Sequence, residues 1–179
     1  MVDFDIFTTI VDEIGGINVE VTQQESRYTK WAKNDGVLIP IEAGENVLLN
    51  GQQALWYSRM RKLDSDFMRT QRQRKVITAI VEKSKSLSMD ELYSLAKKII
   101  PLVKTNLDSK EILNMGTDAL VKKLYTYEIF QQQIPADGTW HDENIEGVGA
   151  SLVMDLDENA EILRDFLSEK QENSEETTK

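Results

Sequence analysis

Residues 55–81, LWYSRMRKLDSDFMRTQRQRKVITAIV, constrain this chain more than any other stretch. From Arg59 to Lys75 seven basic residues stand against two acids, Asp64 and Asp66, in a chain whose formal net charge is −10. Ser65 or Asp66 is a good N-cap, so the pattern predicts a helix from about Phe67. Val76, Ile77 and Ile80 then form one apolar stripe. At about 100° per residue, Arg69, Arg72 and Gln73 fall on the same side, one to two turns earlier. Gln71, Lys75, Thr78 and Glu82 fall opposite. The face that enters the core therefore opens with two guanidiniums and an amide. Burying an unpaired guanidinium costs on the order of several kcal/mol, so something must neutralise Arg69 and Arg72. Asp64 and Asp66 are one candidate, as internal ion pairs. An anionic ligand in a cleft is the other, because the arginine fork suits phosphate oxygens.

The remaining sequence reads as alternating helices and strands. Phe4, Phe7, Ile10, Val11 and Ile14 predict a helix over 3–14, stopped by Gly15-Gly16. Ile17, Val19 and Val21 alternate with polar residues as a half-buried strand. Residues 23–36 are polar and read as a loop, in which Tyr28 and Trp31 either line a pocket mouth or pin the loop. Val37–Ile41 reads as a short strand, Ala43-Gly44-Glu45 as a turn, and Asn50-Gly51 as the start of a helix over 52–58. Ser88-Met89-Asp90-Glu91 is a capping box for a helix ending near Pro101, and Asp108 to Glu111 opens another with Ile112, Leu113, Ala119, Leu120 and Leu124 inside. Residues 125–134 read as a strand, followed by a loop that holds His141, the only histidine. Gly147-Val148-Gly149 lacks the strand-before, helix-after setting of a phosphate loop. A last strand over 150–154 precedes a helix capped by Asp157, with Ile162, Leu163, Phe166 and Leu167 inward. The interspersed pattern predicts an α/β fold, a central mixed β-sheet flanked by helices.

Composition narrows the class. Apolar content of 40% and charged content of 29% suit a globular domain. With no cysteine there are no disulfides and no thiolate metal sites. No apolar run approaches the ~18 residues of a membrane span, and no signal peptide is evident. The acidic balance, with a pI near 4.7, argues against nucleic-acid binding despite the arginine-rich helix.

Two ordered blocks carry a resemblance. The first is Val11-Asp12-Glu13-Ile14-Gly15-Gly16-Ile17-Asn18-Val19. The second runs Leu49-Asn50-Gly51-Gln52-Gln53-Ala54-Leu55, then Tyr57-Ser58-Arg59-Met60-Arg61, then Asp64-Ser65-Asp66-Phe67-Met68-Arg69-Thr70-Gln71-Arg72-Gln73. Together they resemble the LytR-CpsA-Psr family. The resemblance implies a three-layer α/β sandwich with an apolar cleft for a lipid chain. It implies a membrane-anchored transferase on the outer face of the bacterial cytoplasmic membrane. Such an enzyme moves an anionic glycopolymer, teichoic acid or capsular polysaccharide, from a polyprenyl-pyrophosphate carrier to peptidoglycan. On this reading residues 1–168 are the C-terminal portion of the family's catalytic domain and 169–179 a disordered acidic tail. The early family block, with its magnesium-binding aspartates and the membrane helix, is expected to be absent. The chain then reads as a fragment, inactive by itself.

The resemblance also assigns roles. Arg59, Arg61, Arg69 and Gln73 grip the pyrophosphate, with Arg72 in the same set and closer to a scaffold. Asp64, Asp66 and Arg69 are the candidate catalytic residues, either acid orienting an arginine or serving as base toward the acceptor hydroxyl. Magnesium is the implied cofactor, with no ligand nameable in this chain. Two other functions stay open: a fragment that binds anionic polymer without reacting, and a transcriptional attenuator, as some family members have been described.

Overall fold

A computed structural model describes residues 3–121 and 128–176. The chain divides into two compact units, 1–127 and 128–179, where the sequence reading groups 1–168.

In the first unit, α1 (Phe4–Glu13) begins where the Asp3 carboxylate accepts the Ile6 N–H at 2.9 Å. It ends at Gly15 and Gly16, with φ of 80° and 85°. A Cβ on Gly16 would sit 2.8 Å from the Leu49 carbonyl oxygen, so the close approach also requires glycine. Strand β1 (Ile17–Val21) buries every second residue, as its alternation predicts.

The stretch 23–36 departs from the sequence reading. It holds helix α2 (Gln23–Trp31), opened by a capping box between Thr22 and Glu25. Its buried face is Glu25, Ser26, Tyr28 and Thr29. That face is mostly polar, so apolar periodicity gives no warning of a helix. A hairpin follows, β2 (Lys33–Asn34) with β3 (Val37–Leu38), turning through Asp35 at φ 49° and Gly36 at φ 86°. The strand expected over 37–41 stops at Leu38, since Pro40 has no N–H to offer a ladder. Ile41 is buried instead, and its N–H bonds the Thr29 hydroxyl at 3.0 Å.

Gly44 opens strand β4 (Gly44–Leu49), which pairs antiparallel with β1, Ile17 opposite Leu49. Helix α3 (Gly51–Arg59) starts from an Asn50–Gln53 capping box. Helix α4 (Asp66–Lys85) starts from the Ser65 cap. Helix α5 (Met89–Ile99) follows its Ser88 capping box and runs into a 3-10 turn (Ile100–Leu102) at Pro101. Helix α6 (Ser109–Val121) starts where Asp108 accepts the N–H groups of Lys110 and Glu111. Leu124 and the side chains of Leu113 and Leu120 lie outside the described residues. The core joins Val11, Ile17, Leu49, Trp56, Tyr57, Met60 and Val76.

In the second unit, residues 128–134 carry no strand, and 125–127 lie outside the described residues. The strand expected over 150–154 is β6 (Gly149–Met154), but the loop expected before it holds a second strand, β5 (Trp140–Ile145), and the two form a hairpin in continuous register from Trp140↔Met154 to Ile145↔Gly149. Gly147-Val148-Gly149 is its turn. Strand β5 is largely exposed, which hides it from any search for alternation. Helix α7 (Leu156–Glu176) is capped by Asp155, whose carboxylate takes the Glu158 N–H at 2.9 Å, and not by Asp157. It continues to Glu176 through the segment read as a disordered tail. Ile162 and Phe166 are half-buried, but Leu163 and Leu167 are exposed. Buried Asn159 anchors the unit through the Ala136 N–H, the Thr139 hydroxyl and the Asp155 carbonyl.

The α/β character is as expected, but the sheet is not. The described strands form three separate antiparallel pairs, β1–β4, β2–β3 and β5–β6, in place of one central mixed sheet. Two of the three are local hairpins closed by tight turns, and among the described strands neither has a third partner.

Candidate functional site

Helix α4 approaches the core on the line Arg72, Val76, Ala79 and Ile80. Arg72 is 1% exposed. Its guanidinium donates to both oxygens of Asp64, at 2.7 and 2.8 Å, and to the Met60 carbonyl at 2.8 Å. Glu25 of α2 stands 3.5 Å away. Burial works against the charge, yet the Asp64 hydrogen bonds and the Asp64 and Glu25 charges hold the guanidinium above its ordinary pKa. Beside it, burial, reinforced by Glu25, pushes the Tyr57 phenol above the ordinary tyrosine range. Its hydroxyl donates to the Glu20 carbonyl at 3.1 Å.

Of the two neutralisers open in the sequence, the internal one holds for Arg72. Its guanidinium is closed to solvent: both terminal nitrogens bond protein oxygens, while the buried Nε has no hydrogen-bond partner. It is a strut that locks the α3–α4 turn against α2. Two neighbours are also corrected: Ile77 is 57% exposed, and Gln73 lies at the surface. The buried line follows i, i+4, i+7 from Arg72, which leaves Ile77 about 100° around the helix.

The other arginines stay near solvent. Arg69 is half-buried and grips Asp66 bidentately, at 2.7 and 3.0 Å. Exposed Arg61 reaches 4.0 Å from the same carboxylate. Arg59, at the end of α3, pairs with Asp35 at 3.2 Å and lies 4.7 Å over the Phe4 ring. Gln73 donates to the Ser58 carbonyl at 3.4 Å and so ties the start of α4 to the end of α3. The structure thus collects Arg61, Asp66 and Arg69 at the start of α4, with Arg59 on the adjoining end of α3 and Gln73 of α4 bonded to that end. Asp64 and Arg72 go beneath them.

Sequence reasoning missed Glu25, Asp35 and Phe4. The Thr22-x-x-Glu25 capping box and the Asp35-Gly36 turn were the available signals for two of them. His141 sits exposed on β5, 3.4 Å from Glu143. Among the described residues, no group of three or more histidine, aspartate or glutamate side chains is placed to hold a metal. The magnesium that the resemblance implies thus finds no ligand set among the described residues. Among the described residues, no helix is long and apolar enough to cross a membrane.

Residues 1–162 match the LytR_cpsA_psr family. The chain belongs to that family. Among relatives, it is 35% identical over 116 residues to the Bacillus subtilis (strain 168) polyisoprenyl-teichoic acid–peptidoglycan teichoic acid transferase TagT, covering 63% of this chain and 35% of TagT. The fold resembles the crystal structure of B. subtilis TagV, with TM-score 0.65, 28% identity, and coverage of 94% of this chain and 61% of that one. It also resembles TagT bound to LIIa-WTA, with TM-score 0.62, 28% identity, and coverage of 90% and 56%. The chain spans about half or less of the first curated relatives' length. In this LytR-CpsA-Psr chain the two quoted blocks meet in space. The Asp12 carboxylate of the first accepts the Gly51 N–H of the second at 2.7 Å, which ties the end of α1 to the start of α3, the end opposite Arg59.

Proposed function

We propose that this LytR-CpsA-Psr chain carries the head-group part of a glycopolymer transferase site. The reaction moves an anionic cell-wall polymer, teichoic acid or capsular polysaccharide, from a polyprenyl-pyrophosphate carrier to peptidoglycan, at the outer face of the cytoplasmic membrane. The observation that carries this reading is the Arg61–Asp66–Arg69 cluster: two guanidiniums share one surface carboxylate that an incoming oxyanion can displace. Names of relatives support it, since TagT is a teichoic acid transferase and has been seen with a wall teichoic acid ligand.

In the reaction an acceptor hydroxyl of peptidoglycan attacks the phosphorus next to the polymer. A new phosphoester forms, the P–O–P bond breaks, and polyprenyl monophosphate leaves. Charge moves toward the leaving phosphate, where Arg59, Arg61 and Arg69 stabilise it and Gln73 donates a neutral hydrogen bond. Asp66, released by Arg69 as the oxyanion enters, accepts the hydroxyl proton. Asp64 stays with Arg72 and keeps the turn in place.

The test is affinity for a polyprenyl pyrophosphate. Arg69→Ala is expected to weaken binding by tenfold or more, about 1.5–3 kcal/mol for a hydrogen bond to a charged group. Arg69→Lys should not restore it, because the fork is lost. Lys97→Ala, which removes an exposed charge on α5, should change little. An equal loss in Lys97→Ala and Arg69→Ala would reduce the site to general charge attraction and refute the assignment.

A further inference from the structure

Helix α2 presents an aromatic groove that the head-group chemistry does not use. Trp31 is 69% exposed, an unusual position for an indole. It is nonetheless held: its ring meets Tyr28 edge-on at 5.0 Å, and Tyr28 stacks on Trp56 at 5.9 Å. Tyr28 and Trp56 are buried, so Trp31 is the exposed end of a ladder rooted in the core. Beside it lies an open groove of about 340 Å³, lined by Gln23, Gln24, Arg27 and Leu63 as well as the two outer rings. Positions 23, 27 and 31 repeat every four residues, which puts both polar ends and the indole on one face of α2. Among the described residues no carboxylate pairs with Arg27, and the amides of Gln23 and Gln24 have no hydrogen-bond partner.

A rigid exposed indole, two uncommitted amides and one free guanidinium match one ligand chemistry. A pyranose ring has an apolar C–H face that lies flat on an aromatic ring. Its hydroxyls project sideways to amides, and an attached oxyanion fits an arginine fork. Nucleic acid suits it badly in a chain of net charge −10. We infer that the α2 groove is a saccharide subsite for an anionic sugar, with Trp31 as the stacking platform and Arg27 as the anion contact. The inference rests on this groove and stands independently of the head-group assignment. Leu63 belongs to the turn between α3 and α4, so a glycan lying here runs alongside the arginine site.

Calorimetric titration of the 179-residue chain tests it with four probes: neutral N-acetylchitotetraose, a carboxylated hyaluronan tetrasaccharide, N-acetylglucosamine 6-phosphate and inorganic phosphate. At least one charged saccharide is expected to bind tenfold or more tightly than the neutral one, and inorganic phosphate weakly. Preference for the carboxylate marks a uronic or muramic-type sugar, and preference for the phosphate marks a phosphate-bearing polymer; both support the subsite. Trp31→Ala should lower saccharide affinity at least tenfold, and Trp31→Phe should recover part of it. Arg27→Gln should erase only the preference for charge. Arg69→Ala should leave saccharide binding unchanged, just as Trp31→Ala should leave polyprenyl-pyrophosphate binding unchanged, so either assignment can fail alone. The inference is overturned if no saccharide binds, if inorganic phosphate binds as well as the charged sugars, if Trp31→Ala retains affinity, or if the loss follows Arg69 instead.

Discussion

Replacing Arg72 by methionine keeps the stem's bulk and removes three hydrogen bonds to a charged group, two to Asp64 and one to the Met60 carbonyl. It also strands two acids around an apolar gap. The side chain of Glu25 is 7% exposed and that of Asp64 22%. Breaking a buried pair by removing one partner costs about 3–5 kcal/mol, because the remaining charge is uncompensated. Glu25 keeps its Thr22 contacts, which places the expectation in that range and not above it. Asp64→Asn is milder. Arg72 then keeps the Met60 carbonyl and the Glu25 charge, so about 1–3 kcal/mol is expected. A stability of ~5–15 kcal/mol, usual for a domain, makes both measurable. Urea unfolding followed by fluorescence of buried Trp56 gives each value. In the double variant the two costs should overlap by about 2 kcal/mol, since the partners share one interaction. If Arg72→Met unfolds the chain outright, Asp64→Asn and Arg72→Lys remain readable, and lysine should fail to rescue. A cost for Arg72→Met below about 1 kcal/mol, or strict additivity with Asp64→Asn, would refute the strut.

Two further outcomes follow from the same packing. Gly51→Ala should cost about 1–3 kcal/mol, read as a drop in thermal midpoint, because the new Cβ would stand 2.3 Å from the Thr8 carbonyl oxygen and 2.8 Å from its Cα; an unchanged midpoint would mean that α1 is not seated on α3 as described. Tyr57 bears on alkaline stability: its folded pKa lies above the unfolded value of about 10, so its contribution is complete below about pH 10 and fades as pH rises through the folded value. Ultraviolet titration should show a phenol that stays protonated until the chain unfolds, and Tyr57→Phe should remove that component. A titration curve unchanged by Tyr57→Phe would contradict its burial.

The fold was legible wherever caps and apolar periodicity spoke together. Asn50, Ser65 and Ser88 all cap where the sequence offers them. It was illegible where the buried face is polar. Helix α2 packs inward with Glu25, Ser26 and Thr29, because Glu25 faces Arg72 and Thr29 serves Ile41, and such tertiary demands leave no hydrophobic period. Strand β5 was hidden for the opposite reason: it is nearly all exposed, so nothing in its composition had to alternate. The single central sheet failed because pairing is non-local, and no residue pattern states which strand finds a third neighbour.

At the site, the sequence showed that arginines entered the core face but not how deep each went. Helical geometry put Arg69 and Arg72 within one stripe, three residues and about 60° apart. That offset decides their chemistry. Arg72 falls in line with Val76 and is sealed by Asp64 and Glu25, while Arg69 falls at the margin, where its one partner is itself mostly exposed. A sealed guanidinium fixes the turn, and a marginal one can exchange its carboxylate for a ligand's oxyanion. The two acids differ in the same way: Asp64 gives both oxygens to the sealed arginine, and Asp66 holds the marginal one from the surface. The division of labour between framework and ligand contact within DSDFMRTQR is thus set by depth along one helix, a quantity that becomes visible only once α2 is seen to supply Glu25 from the other side.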